Sequence, residues 1–182
     1  MNIPLPKVPS LLKSKRACNF CKNISPTSEP VHLNVEKIGP YIELNCFENV
    51  NSVIKTKGGN IEYGWLIWET LPDLMMEAEF HAIWIDINNV RHDITPKQFG
   101  IEYGLFLPDP TTKYENSQID NIRIPLINDT LIINYIKNSE EYFRLTNDKG
   151  LAFCEEIKET KEIRTNRLSN IRIFSEIIKK YY

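Results

Sequence analysis

Apolar residues recur along this chain at two spacings, and each predicts its own kind of element. Alternation dominates the middle. In NIEYGWLIWE (60–69) it sets Ile61, Tyr63, Trp65 and Ile67 on one side of a strand. MMEAEFHAIWIDI (75–87) follows the turn TLPDL and puts Glu77, Glu79, His81 and Ile83 on one face, with Ala78, Phe80, Ala82 and Trp84 on the other. VRHDIT (90–95) reads as the returning strand, and VHLNV (31–35) and YGLFLPD (103–109) as further strands. Helical spacing takes over elsewhere. In CFENVNSVIKTKGG, Phe47, Val50, Val53 and Ile54 recur every three to four residues and Gly58-Gly59 supplies the stop. With Asn45 or the residue before it as N-cap, Cys46 falls in the first turn. Asp129 caps a second helix, TLIINYIKNSEEYFRLTN, and a last one covers about 151–181 with Ile157, Leu168, Ile171, Phe174 and Ile178 on one stripe.

These elements predict an α+β fold: a helix beside an antiparallel sheet, then helices at the C-terminal end. Residues 1–30, rich in proline, lysine and serine, read as an arm without a core of its own. Residues 31–182 read as one domain, with its core at about 41–110 and a helical part at about 128–182. A chain of 182 residues is long enough for such a core, and 42% hydrophobic with 25% charged residues is ordinary globular composition. The net charge of -2 supplies no positive field for nucleic acid or a membrane surface. The opening MNIPLPKVPSLLKSK lacks the apolar core of an export signal, and no run is long enough to span a bilayer, so a cytoplasmic location is expected. There the four cysteines serve as thiols, metal ligands or a nucleophile rather than disulfides.

That setting makes the order of Cys46, His81 and Asp93 informative. A thiol at a helix N-terminus feels the positive end of the macrodipole, which favours the thiolate. A histidine on a neighbouring strand can take its proton, and an aspartate on the next strand can orient the imidazole. The scheme makes one demand on the hairpin. His81 and Asp93 share a face only if the connecting loop has an odd length, such as Asp86–Asn88; a two-residue Asn88-Asn89 turn would put Asp93 on the other face.

HAIW followed by DITP resembles the His-Ala-x-Trp … Asp-x-Thr signature of the transglutaminase-like superfamily, which shares the papain-like cysteine fold. The resemblance covers about residues 41–96, with 35 residues from Cys46 to His81 and 12 from His81 to Asp93. It implies a helix carrying the nucleophile Cys46, strands carrying the base His81 and its partner Asp93, and the backbone N–H of Cys46 as an oxyanion donor. The approach IELNC departs from the aromatic or Gly-rich approach common in that superfamily. Across YGWLIWE, EAEFHAIW, DITP and LFLPDP the chain also resembles uncharacterised bacterial proteins that often carry a SEC-C tail, absent here. That second resemblance implies no activity.

Other residue groups keep other readings open. Glu77, Glu79 and His81 at i, i+2 and i+4 offer a metal-ligand face. Cys18 and Cys21 form a CxxC that is half of a structural zinc site, needing His32 or Cys154 to complete it, or else two incidental thiols. His92 points away from Asp93 and reads as surface, and Trp65, Trp68 and Trp84 as core or cleft wall. The leading expectation is a thiol-dependent acyl-transfer enzyme acting on a protein or peptide-like amide, with no required cofactor. The alternative is a non-catalytic module with a zinc-stabilised arm and a C-terminal docking helix. Hydrolysis versus transfer, the substrate and the oligomeric state are left open by the sequence.

Overall fold

A computed structural model describes residues 3–10, 14–147 and 159–182. Among them the chain is α+β, with a six-stranded sheet, four α-helices and one 3-10 turn. In chain order these are α1 (Lys15–Ile24), β1 (Val31–Asn34), α2 (Cys46–Lys57), β2 (Asn60–Leu71), β3 (Met75–Ile85) and β4 (Arg91–His92), then the 3-10 turn Gln98–Gly100. β5 (Tyr103–Pro108), β6 (Ile122–Pro125), α3 (Thr130–Asn147) and α4 (Lys161–Tyr181) complete the chain. The described residues fall into two compact units. One holds 8–68 and 78–113; the other holds 1–7, 69–77 and 114–182.

In the first unit the strand order is β1-β5-β2-β3-β4. β1 pairs antiparallel with β5 (Val31 opposite Phe106), β5 with β2 (Phe106 opposite Leu66), and β3 with β4 (Trp84 opposite His92). The sheet curls until its two ends touch. Val35 forms a lone parallel bridge with Asp93, and the Glu36 N–H donates to the Asp93 carbonyl at 2.8 Å. The alternation seen in the sequence divides the apolar residues between two cores. Ala82 and Trp84 pack with Cys46, Val50 and Val53 of α2 and with Ile94. Ile83 packs with Leu66, Trp68 and Phe106.

The ends of α2 set where Cys46 sits. Asn45 occupies the N-cap but makes no side-chain cap bond, and Leu44 before it lies at φ 61°. The buried Asn49 side chain secures this entry, accepting from the Ile42 N–H and donating to the Ile42 carbonyl at 2.8 Å. Gly58 (φ 74°) and Gly59 (φ 92°) end the helix, and a Cβ on Gly59 would strike the Ile85 carbonyl oxygen. The stretch read as an arm contains α1, which Ser14 caps by accepting the Ala17 N–H and whose Ala17, Phe20 and Cys21 are buried.

In the second unit Leu71, Leu74 and Met75 at the tip of the β2–β3 hairpin pack with Ile132, Ile136 and Ile177. Asp129 accepts the Leu131 N–H at 2.7 Å, the capping role expected of it. Thr160 caps α4 by accepting from Ile163, so the helix begins at Lys161 rather than at 151; residues 151–158, Ile157 among them, lie outside the described residues. The expected stripe is buried only in part, at Phe174 and Ile178. Ile163, Ile177 and Ile178 are buried and Phe174 packs with the cluster of Ile177, its ring 5.8 Å from that of Tyr135 on α3, while Leu168 and Ile171 are exposed.

Candidate active site

The β3–β4 connection decides which side chains meet. Residues 86–90 form a five-residue loop, closed by the Asp86 N–H donating to the Val90 carbonyl (2.9 Å) and by Asp86 Oδ1 accepting from the Asn88 and Val90 N–H groups. Its length is odd, though longer than the three-residue example. Asp93 therefore shares a face with His81, and Asp93 Oδ1 lies 3.1 Å from His81 Nε2. Both side chains are buried, and the His81 ring stands edge-on to Phe106.

A third side chain belongs to this cluster. Lys97 Nζ lies 2.5 Å from Asp93 Oδ2 and 3.2 Å from His81 Nε2, and its side chain is only 6% exposed. Asp93 Oδ1 also accepts the Thr95 N–H at 3.2 Å, and Thr95 Oγ1 accepts from Asn49 Nδ2 at 3.2 Å. A hydrogen-bonded chain thus runs from the Ile42 backbone through Asn49 and Thr95 to Asp93 and His81. Sequence reasoning missed Lys97 and Asn49. The available signals were small: Lys97 follows Asp93 by four residues across Pro96, and Asn49 follows Cys46 by three on one helix face.

Cys46 is the first residue of α2 and is buried. It packs against Ala82, the residue after His81. No hydrogen bond joins the thiol to the imidazole among the described residues: Cys46 packs with Ala82 and Trp84, whereas the His81 ring meets Phe106. The charges around the cluster fix its resting state. Burial pushes the Cys46 thiol up to about 12; the Ala82 backbone and Lys97 act downward, Glu79 and Asp93 upward. Burial and the neighbouring Lys97 ammonium hold His81 below its usual value, against the pull of Asp93. For Asp93, burial acts upward but His81 and Lys97 prevail and hold the carboxyl at about 2. At neutral pH the cluster comprises a thiol, a neutral imidazole and an aspartate–lysine ion pair.

The remaining candidates take other places. His92 is half-buried rather than surface: its ring lies 4.8 Å from that of Trp84, and Nδ1 lies 2.7 Å from Glu36 Oε1. Glu77 accepts from Thr70, Asn121 and Arg123, so its carboxylate is occupied and forms no metal face with His81. Trp65 is buried and donates to Asp109 at 2.9 Å. Cys18 and Cys21 lie one turn apart on α1, and burial, reinforced by Cys18, pushes the Cys21 thiol up to about 11. No group of three or more candidate metal ligands gathers among the described residues, and Cys154 lies outside them. No helix among the described residues is long and apolar enough to cross a membrane. In comparisons with known proteins, no family model, no curated protein and no solved structure matches the chain.

Proposed function

We propose that Cys46, His81 and Asp93 form the catalytic group of a cytoplasmic thiol acyl-transfer enzyme with a transglutaminase-like or papain-like core, acting on a protein or peptide-like amide. The observation that carries this reading is the position of the sulfur. It lies at the start of α2, packed against Ala82, the residue after His81, whose ring contacts a buried aspartate at 3.1 Å. Because the thiol is protonated at rest, reaction starts with His81 as general base rather than from a preformed thiolate. His81 Nδ1, which neither Asp93 nor Lys97 engages, takes the Sγ proton as sulfur attacks the amide carbonyl. The imidazolium then returns that proton to the leaving amine, and an acyl-enzyme remains. Water or a second amine completes the cycle by attacking the thioester, again deprotonated by His81. The backbone N–H of Cys46, in the unsatisfied first turn of α2, is the donor toward the oxyanion.

Labelling of Cys46 by a peptide-like electrophile, resolved by peptide mass with Cys18 as internal reference, tests this reading. His81→Ala should slow labelling by about 10²-fold or more, the usual contribution of a general base. Cys46→Ala should abolish amide turnover without loss of fold. Labelling indifferent to His81 would overturn the assignment.

One observation favours a second reading, a binding module on the same scaffold. The thiol is buried, protonated and not bonded to the imidazole, which is the environment of an inert structural cysteine. In that reading Cys46 is labelled only on unfolding. A zinc ion on Cys18 and Cys21 would belong to this reading and would require two further donors.

A further inference from the structure

Two groups address the same nitrogen of His81. Asp93 Oδ1 lies 3.1 Å from Nε2 and Lys97 Nζ lies 3.2 Å from it. These contacts demand opposite proton positions. An ionised carboxylate only accepts, so Asp93 requires the ring proton on Nε2. An ammonium only donates, so Lys97 requires a lone pair there and the proton on Nδ1. Both contacts are aligned as hydrogen bonds, so the two partners compete for one nitrogen. Asp93 Oδ2, although 2.5 Å from Nζ, receives no aligned hydrogen bond, whereas the contact from Nζ to Nε2 is aligned as one. Asp93 Oδ1 keeps the Thr95 N–H as a donor in either case.

We propose that Lys97 is a positioning residue that sets the tautomer of His81: it holds the ring proton on Nδ1 in the resting state, and its withdrawal passes the ring to the Nε2–H form. This regulation rests on the acyl-transfer reading above. With Nδ1 protonated, the nitrogen required for the thiol proton is blocked. With the proton on Nε2 and donated to Asp93, Nδ1 becomes the base. The exchange moves one proton between the two ring nitrogens and changes no net charge. Lys97 is placed to withdraw. It follows Pro96, which cannot extend the β4 ladder. It precedes the 3-10 turn Gln98–Gly100, where Phe99 lies at φ 59° with its side chain exposed. A non-glycine residue in that region stores local strain, which movement of the turn would relieve.

The test is a long-range ¹H–¹⁵N spectrum of histidine-labelled full-length protein above pH 7, with the His81 signals identified among the three histidines by their loss in His81→Gln. The wild type should show the Nδ1–H form, Lys97→Met the Nε2–H form, and Lys97→Arg, which still donates, the wild-type form. An Nε2–H ring in the wild type overturns the proposal without any variant, so a misfolded Lys97→Met leaves it decidable. A wild-type tautomer retained in folded Lys97→Met overturns it as well. Electrophile labelling separates this proposal from the function beneath it. A tautomer shift with Cys46 labelling at least about tenfold faster supports both. The same shift with labelling indifferent to His81 supports the positioning role and refutes the acyl-transfer reading.

Discussion

Two polar clusters, one half-buried and one buried, draw on the same strand, β3, and they are built on opposite principles. Around Glu77 the valences are filled. Its two oxygens accept from Thr70 (2.6 Å), Asn121 (3.0 Å) and Arg123 (2.8 Å), and Arg123 also pairs with Asp120. Around His81 one nitrogen is contested by two partners and the other is engaged by neither. A saturated cluster holds a fold and has little left to offer a substrate. An unevenly occupied one keeps a proton site in reserve, and this contrast, more than burial or charge, marks the candidate chemistry.

The contrast can be broken from either side. The largest effect is expected from Arg123→Met, which removes the charged partner of the half-buried Glu77 carboxylate. It should cost about 2–3 kcal/mol in urea unfolding while leaving the labelling of folded Cys46 unchanged; a labelling change would mean that the Glu77 cluster is more than structural. Asp93→Asn should cost less and should act through pH. The native carboxyl at about 2 lies below the unfolded value of about 3.9, so its contribution, on the order of 2 kcal/mol, is fully present above about pH 4. That contribution is lost as the pH falls through about 2. Urea midpoints across this window should fall in the wild type, and this component should be missing in Asp93→Asn. Asn49→Ala removes the clamp on the α2 entry and should cost about 1–2 kcal/mol, with faster labelling of Cys46 as the loop at Leu44 loosens. The smallest effect is expected at the exposed Arg91–Glu62 pair, where Arg91→Ala should cost under about 1 kcal/mol.

The parts legible in the sequence were those encoded by period. The β2–β3 hairpin, its division into two apolar faces, and Cys46 at the head of α2 follow from alternation, helical spacing and the double glycine. The parity condition on the 86–90 loop is likewise a property of strand geometry. Missed elements had weak or misleading local signals. α1 is short, polar and set between prolines, so composition masked a helix that buries Ala17, Phe20 and Cys21. β6 has four residues, one of them proline. The α4 stripe held at Phe174 and Ile178 and failed at Leu168 and Ile171, which are apolar yet exposed, while Asn166 is polar and buried. Lys97 was invisible for a different reason. Its long side chain folds back across Pro96, and no spacing rule reports which way a loop lysine turns.

Among the described residues the main-chain seam of the curled sheet runs through Asp93. Its main chain takes the Glu36 N–H and the bridge to Val35, while its side chain serves His81, Lys97 and the Thr95 N–H. The two offices use different atoms of the same residue. Replacing the side chain therefore retunes the cluster without unfastening the seam, whereas a backbone change at Glu36, such as a proline without its N–H, would loosen the seam with every cluster side chain still in the sequence. Architecture and proton chemistry can thus be varied separately at one position in the chain.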